Sequence, residues 1–469
     1  MSNKPVVAII GRPNVGKSML FNKLVGRRVA IVEDTPGVTR DRVTAVCEWR
    51  GREFTLVDTG GIEGASLWGG GTSKLGNSTS KLGSADMREY IREQARLAIE
   101  SADAVIFVCD VKTGITESDS EIALMLQKSR LRAGGGRMPV VAAVNKCDRA
   151  GAGGGDAGVY EFYGLGLGDP IAVSALHGIG TGDLLDACFE HLPPDTGGEP
   201  EADVIRVAVV GKPNAGKSSL TNRLLGEQRV IVSEVPGTTR DAIDSYLENE
   251  HGRFVIIDTA GMRKKSRVRE SVEYFSVLRA VMAIERADAC VILLDARDGV
   301  TEQDTKVAGL AHDAGKACVI AVNKWDLIEK NTHTMNNMRE RVYSDLPFMP
   351  YAPVEFISAK TGARVGGLLG AVATAAANNA MRVTTGMLND VLADAVARVQ
   401  PPSDKGRRLK IYYISQVAVK PPRFVAFVND QKLFHFSYRR YLENRIREAF
   451  GFGGTPIALE CRVRNRDET

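Results

Sequence analysis

Two lysines carry the first chemical signal in this 469-residue chain. Lys17 lies in Gly11-Arg12-Pro13-Asn14-Val15-Gly16-Lys17-Ser18, and Lys217 lies in Gly211-Lys212-Pro213-Asn214-Ala215-Gly216-Lys217-Ser218. Each segment follows an apolar run (Val6 to Ile10; Val207 to Val210) and precedes one with helical spacing (Met19 to Val25; Ser219 to Leu225). Strand, Gly-rich loop, then helix is the context that turns G-x-x-x-x-G-K-[ST] into a phosphate cradle. Glycines let successive backbone N–H groups turn inward, and the helix start adds the positive end of its dipole. Lys17 and Lys217 would reach the β- and γ-phosphates, and the Ser18 and Ser218 hydroxyls would ligate Mg²⁺. One chance match in a chain of this length has odds on the order of one in a hundred. Two in matching context are not accidental.

The rest of a nucleotide site follows each loop in order. Asp58-Thr59-Gly60-Gly61 answers Asp258-Thr259-Ala260-Gly261 at the same offset of 200. Asp58 and Asp258 end strands, where a carboxylate can hold Mg²⁺ through water, and Gly61 and Gly261 leave room for an N–H on the γ-phosphate. Pro36-Gly37-Val38-Thr39-Arg40-Asp41 answers Pro236-Gly237-Thr238-Thr239-Arg240-Asp241. Thr39 and Thr239 are therefore candidates for the switch hydroxyl that closes on Mg²⁺. Thr238 competes with Thr239, but Val38 in the first copy favours the latter. Asp110 answers Asp295, and Asn145-Lys146-Cys147-Asp148 answers Asn323-Lys324-Trp325-Asp326.

That last pair selects the base. A carboxylate at Asp148 or Asp326 can accept from guanine N1–H and N2–H₂ together, an arrangement that adenine does not offer. Asn145 and Asn323 suit the purine N7, with the stems of Lys146 and Lys324 along the ring. Ser174-Ala175-Leu176 and Ser358-Ala359-Lys360 follow apolar strands and could offer a backbone N–H to guanine O6. Water-activating GTPases such as Ras place a Gln right after the D-x-x-G. Here the positions are Ile62 and Met262. Neither orients water, so a partner, an arginine or a bound cation must lower the barrier.

The elements that position these residues read as a repeat. Strand candidates Phe54–Val57, Ala104–Cys109, Val140–Val144 and Ile171–Val173 match Phe254–Ile257, Cys290–Leu294, Ala317–Val322 and Val354–Phe356. Helical spacing over Met87–Glu100 and Glu273–Glu285 falls between them. The alternation predicts an α/β fold: two consecutive P-loop domains, each a mostly parallel sheet with helices on both faces. The first would span 1–192, with a Gly/Ser/Thr-rich insert at 64–84 unable to bury a core. A linker at 193–203 would lead to the second at 204–380. A small α+β module of three strands and two helices would fill 381–469.

Size and composition agree. The length suggests about three domains. The hydrophobic fraction of 44% and charged fraction of 25% are ordinary for soluble globular protein. No run of 18 uncharged apolar residues exists, so no membrane span is expected. The N-terminus leads straight into the first strand without an evident signal peptide. Seven scattered cysteines form no C-x-x-C pair, which fits a reducing cytoplasm. The six histidines show no metal spacing. The net charge of +4 hides an asymmetry: residues 405–469 carry +8 and the remainder −4. A basic module on a near-neutral body predicts a polyanionic partner. Arg407, Arg408, Lys410, Arg439, Arg440, Arg445 and Arg447 are candidates for phosphate contacts. Tyr412, Tyr413, Phe424 and Phe427 could stack bases but fit a strand core better.

Two such units in tandem with a basic tail resemble the EngA family, also called Der, over essentially the whole chain. The resemblance implies a KH-like C-terminal domain, GTP hydrolysis to GDP, and association with the large ribosomal subunit and its RNA rather than DNA. It implies a monomer in ribosome biogenesis. It further implies that Asn14 and Asn214 help hold a K⁺ ion in place of an arginine finger. Segment 64–84 departs from the family pattern. The tail also lacks a nucleotide-clamping G-x-x-G between two helices; Gly451-Phe452-Gly453-Gly454 follows the last helix and reads as a turn. Two other readings stay open: an RNA-binding scaffold with nucleotide as structural ligand, and a tRNA-modification-type GTPase. No C-terminal Cys motif or one-carbon-cofactor domain supports the latter.

Overall fold

The computed structural model describes residues 4–26, 44–59, 92–93, 95–96, 98–99, 102–129, 138–148, 157–190, 192, 204–227, 244–257, 272–329, 331–404 and 406–463. Thr39, Gly60, Gly61, Thr239, Asp258, Thr259, Ala260 and Gly261 lie outside them, as do Ile62, Met262, the insert and the linker. Contacts divide the chain into two compact units.

The first unit holds a six-stranded sheet in the order β2-β3-β1-β4-β5-β6. Its elements are β1 (Val6–Ile10), α1 (Lys17–Val25), β2 (Thr44–Trp49), β3 (Arg52–Asp58), β4 (Ala104–Asp110), α2 (Glu117–Ser129), β5 (Val140–Asn145), β6 (Ile171–Ala172) and α3 (Thr181–Glu190). All ladders are parallel except β2 with β3. Successive side chains alternate between two cores, as the period of a strand requires. Val6, Ala8, Ile10, Val105 and Phe107 face one cluster, while Val7, Ile9, Ala104, Ile106 and Val108 face the other. A sheet covered on both faces reads as unbroken apolar runs, and β4 is buried at every position. Each fully buried Val, Ile or Phe there contributes about 1.5–3 kcal/mol.

In the second unit the sheet runs β12-β11-β10-β7-β9-β8. Its strands are β7 (Val204–Val210), β8 (Ser245–Asn249), β9 (Gly252–Ile256), β10 (Ala289–Asp295), β11 (Ala317–Asn323) and β12 (Val354–Phe356). The helices are α4 (Lys217–Glu227), α6 (Glu302–Asp313), α7 (Thr334–Asp345) and α8 (Val365–Ala380). Helix α5 (Val272–Arg286), though part of the second copy in sequence, packs within the first unit. Leu278 and Met282 are buried in that unit's core, and Arg279 pairs with Glu93 at 2.9 Å.

The tail shares the second unit. Helix α9 (Thr385–Arg398), the short pair β13 (Ser403–Asp404) and β14 (Arg407–Arg408), and α10 (Phe436–Phe450) accompany β15 (Ile411–Ala418), β16 (Arg423–Val428) and β17 (Ala458–Val463). The three longer strands form one sheet, β15 antiparallel and β17 parallel to β16. Phe424, Ile414, Leu442 and Ile446 fill its core. Gly451 caps α10 with a left-handed φ of 69°. The turn that follows packs against β11 and α8 of the same unit. Gly454 N–H donates to Tyr351 O at 2.7 Å, Cys318 N–H donates to Gly454 O at 2.7 Å, and a β-carbon on Gly454 would collide with Ala375. Gly451 ends the helix and Gly454 permits the close packing.

Candidate nucleotide site

In each copy the loop between the first strand and its helix has the expected shape. Gly16 and Gly216 take φ of 95° and 104° against the amide of Asn145 and Asn323, where a β-carbon would clash. Asn14 and Asn214 are exposed and left-handed, with φ of 66° and 63°. Pro13 and Pro213 lie between them and the cations Arg12 and Lys212. Lys17 Nζ donates to Gly11 O and Arg12 O, both at 2.9 Å. Lys217 Nζ makes the same bonds to Gly211 O and Lys212 O at 2.7 and 2.8 Å. Both ammonium groups thus point into the loop's own concavity. Burial pulls the Lys217 pKa down to about 8, against the opposing charge of Asp304. Ser18 and Ser218 follow at the exposed helix start. Asp58 ends β3 almost fully buried, beside Thr59, whose hydroxyl donates to Ile9 O at 2.7 Å.

The base-selecting loops abut the phosphate loops, a proximity that sequence spacing does not supply. Asn145 Nδ2 donates to Val15 O at 2.8 Å while its Oδ1 accepts Ala175 N–H at 2.9 Å. Asn323 repeats both bonds, to Ala215 O at 2.8 Å and from Ala359 N–H at 2.9 Å. Each asparagine is a strut joining the phosphate loop to the third loop of the site. In this conformation the Ala175 and Ala359 N–H groups, expected for guanine O6, are held by these struts. Asp148 Oδ1 accepts the Ser174 hydroxyl at 3.0 Å, and Asp326 Oδ1 accepts that of Ser358 at 2.6 Å. Lys112 donates to Asp148 Oδ2 at 3.0 Å. The Lys112 bond, then the Ser174 bond, hold the Asp148 carboxyl below its ordinary pKa.

Lys146 and Lys324 occupy the left-handed region at φ 68° and 62°. Lys146 Nζ donates to Asn14 O at 3.0 Å and to Asp110 Oδ2 at 2.6 Å; Lys324 pairs with Asp295. Burial raises the Asp295 pKa, but the hydrogen bond from Lys324 helps to leave it below the ordinary value. Asp110 and Asp295 repeat in the sequence without an obvious task, and the structure supplies one: they fix the lysines of the guanine loops. Among the described residues, no group of three or more His, Cys, Asp or Glu could hold a metal ion by itself.

One tail arginine has a different setting from the one its sequence suggests. Arg447 is turned inward, donating to Phe452 O and, at 2.8 Å, to Thr455 O, with its guanidinium 5.0 Å from the Tyr351 ring centroid. Burial lowers its pKa. It clamps the tail's docking turn, its guanidinium committed to those carbonyls and to the Tyr351 ring. Arg445 is engaged by Asp394 and Glu448, and Arg439 by Glu443. Phe424 is fully buried, whereas Tyr413 and Phe427 stack on each other with centroids 4.4 Å apart.

The family model described as 50S ribosome-binding GTPase matches residues 6–146 and again 206–324. That of the KH-domain-like C-terminal region of EngA bacterial GTPase enzymes matches 382–462. The chain is 55% identical to GTPase Der of Acetivibrio thermocellus, over 99% of this chain and 100% of that one. GTPase Der of Clostridium perfringens is 52% identical over 98% of this chain and 99% of its own. Among solved structures, Era of Aquifex aeolicus bound to GDP·AlF4⁻ is 19% identical, covering 56% of this chain and 93% of that one, with a TM-score of 0.29. Similarity that runs end to end at 55% identity leaves one conclusion: this chain belongs to the EngA (Der) family of GTPases, which hydrolyse GTP to GDP and phosphate.

Proposed function

We propose that the chain is a GTP-hydrolysing switch of ribosome assembly, with three modules at 1–192, 204–380 and 381–469 joined by the linker at 193–203. The observation that carries this reading is the phosphate loop joined to an N-K-x-D loop, found twice on one chain that also carries a KH-like module. The family model that matches both sites is described as a 50S ribosome-binding GTPase, which supports the large subunit and its RNA as partner. The +8 charge of residues 405–469 suits an RNA surface. We place the protein in the cytoplasm, acting as a monomer and not on DNA. No helix among the described residues is long and apolar enough to cross a membrane.

In each site Lys17 or Lys217 would leave the loop carbonyls for the β- and γ-phosphates. The backbone of Gly11 to Ser18, or Gly211 to Ser218, would cradle them. Asp148 and Asp326 would take the guanine edge, with Asn145, Lys146, Ser174 and Ala175, or Asn323, Lys324, Ser358 and Ala359, around the base. Hydroxyl and carboxylate oxygens suit Mg²⁺, which is held largely by substrate phosphates and not by a protein cage; the exposed Ser18 and buried Asp58 fit this. Ser18, Thr39 and Asp58, with Ser218, Thr239 and Asp258, would hold it, and it would neutralise charge developing on the phosphates. The exposed Asn14 and Asn214, each with a neutral carbonyl oxygen, fit K⁺. Ordering of Thr39 and Thr239 and of the segments at Gly60-Gly61 and Thr259-Ala260-Gly261 would report the γ-phosphate to the tail.

Co-sedimentation with ribosomal subunits tests this reading. The large subunit should retain the chain differently in GTP and in GDP. Equal retention in both, with Lys17→Ala and Lys217→Ala chains cycling on and off normally, would leave a scaffold in place of a switch. Turnover in K⁺ should exceed that in Na⁺, and equal rates would remove the cation from the proposal.

A further inference from the structure

Behind each phosphate loop lies a fully buried aspartate that belongs to none of the nucleotide motifs. Asp119, on the first turn of α2, and Asp304, on the first turn of α6, are both 0% exposed. Asp119 Oδ2 accepts the Thr116 N–H at 3.1 Å and the Thr116 hydroxyl at 2.7 Å, and Arg12 Nε approaches it at 3.2 Å. Arg12 also donates to the Thr113 hydroxyl. In the second copy Asp304 Oδ2 accepts the Thr301 N–H at 3.1 Å and hydroxyl at 2.6 Å, and Lys212 Nζ lies 4.0 Å away. Lys212 also pairs with Asp298 at 2.8 Å.

Capping a helix does not require a buried charge, because an exposed Asp, Ser or Thr serves equally well. A carboxylate taken out of water is costly unless donors and cations surround it. Here the cation comes from the second residue of the phosphate loop, in both copies. That residue also supplies a carbonyl on which the loop lysine rests: Arg12 O holds Lys17 Nζ, and Lys212 O holds Lys217 Nζ. We infer that Asp119 and Asp304 are positioning residues of the two phosphate loops, fixing through Arg12 and Lys212 where Lys17 and Lys217 stand. The inference rests on the assignment of those lysines to the phosphates.

The two anchors are built differently. Lys212 N–H donates to Asp304 Oδ1 at 3.3 Å, while Lys212 Nζ, paired with Asp298, stands 4.0 Å from the Asp304 carboxylate, so the second loop is tied chiefly through its backbone. Asp119 Oδ1 is buried and finds no hydrogen-bond partner among the described residues. The first loop hangs on the Arg12 side chain.

The test measures GTP and guanosine binding and GTP turnover on the full chain, with the other site disabled by Lys17→Ala or Lys217→Ala. Asp119→Asn keeps the shape and an acceptor for Thr116 but removes the charge facing Arg12. It should lower kcat/KM for GTP in the first site by about 10-fold or more while leaving guanosine affinity unchanged. Asp304→Asn should do the same in the second site. Arg12→Ala combined with Asp119→Asn should be no worse than the more damaging single change, and Arg12→Ala should cost more than Lys212→Ala. A fall in melting temperature with normal GTP kinetics, or equal loss of guanosine and GTP, would reduce both aspartates to helix caps. Should Lys17→Ala and Lys217→Ala themselves bind GTP normally, the phosphate-loop assignment fails instead.

Discussion

The two nucleotide sites of this chain are the same where they face the ligand and different where they do not. Asn145 and Asn323 make identical struts, Asp148 and Asp326 take the same serine hydroxyl, and Lys17 and Lys217 rest on the same two carbonyls. Away from that layer the copies part. The first places a 3-10 segment, Ala157–Leu165, with exposed Tyr160 and Tyr163, where the second has α7. Lys112 pairs with Asp148 in the first copy, and the corresponding position of the second is Arg297. Groups that must meet a fixed ligand cannot drift by an ångström without losing function, whereas the enclosing surface is free to change.

Substitutions can break the equivalence or sharpen it. The largest effect is expected at the carboxylates. Asp148→Asn and Asp326→Asn each should weaken guanine nucleotide binding at their own site by roughly 10²–10⁴-fold, because the charged hydrogen-bond pair with the base is left mismatched. Xanthine nucleotides should gain in compensation, which equilibrium binding of GTP against XTP will show. Next, Lys17→Ala and Lys217→Ala should lower turnover at their own sites by about 10²–10³-fold, in line with the loss of one group that stabilises transition-state charge. Near-parental turnover in either variant would show that one copy has lost its chemistry.

Acidity provides a subtler contrast. In the second site burial sets the Lys217 pKa at about 8, far below that of a free lysine. A bound triphosphate favours the charged form, so binding takes up a proton once the free site has begun to lose it. Affinity at that site should be full below pH 8 and fall by up to about tenfold between pH 8 and 9. Calorimetry in buffers of different ionisation enthalpy will count the proton, and Lys217→Arg should abolish the effect. The smallest change is expected from Lys112→Ala. Lys112 is largely exposed, and its pair with Asp148 should alter GTP affinity by less than about fivefold. Since Lys112 holds the Asp148 pKa down, its removal should make guanine binding fail at a higher pH as the solution is acidified.

Much of this was legible in the chain itself. Two apolar strands of unbroken burial, Ala104–Asp110 and Ala289–Asp295, announce a sheet covered on both faces, and the loops that follow β1 and β7 announce their ligand. The antiparallel edge strands β2 and β8 were not legible from periodicity, because Thr44–Trp49 and Ser245–Asn249 are half-exposed and show no clean alternation of apolar and polar residues. For β2 the turn is the signal: Arg50 and Gly51 both have positive φ, 50° and 77°, as a tight hairpin demands. The tasks of Asp110, Asp119, Asp295 and Asp304 stayed hidden for another reason. Their partners lie from 29 to 107 residues away, and only folding brings them together. Arg447 misled for the same reason, since a basic residue on an amphipathic helix looks solvated until Tyr351 is found beneath it.

Counting ligands tests the central claim most directly. Equilibrium binding of labelled GTP to the full chain should saturate at two molar equivalents, be displaced by unlabelled GTP and GDP, and resist an excess of ATP. Saturation at one equivalent, or displacement by ATP as readily as by GTP, would contradict the account.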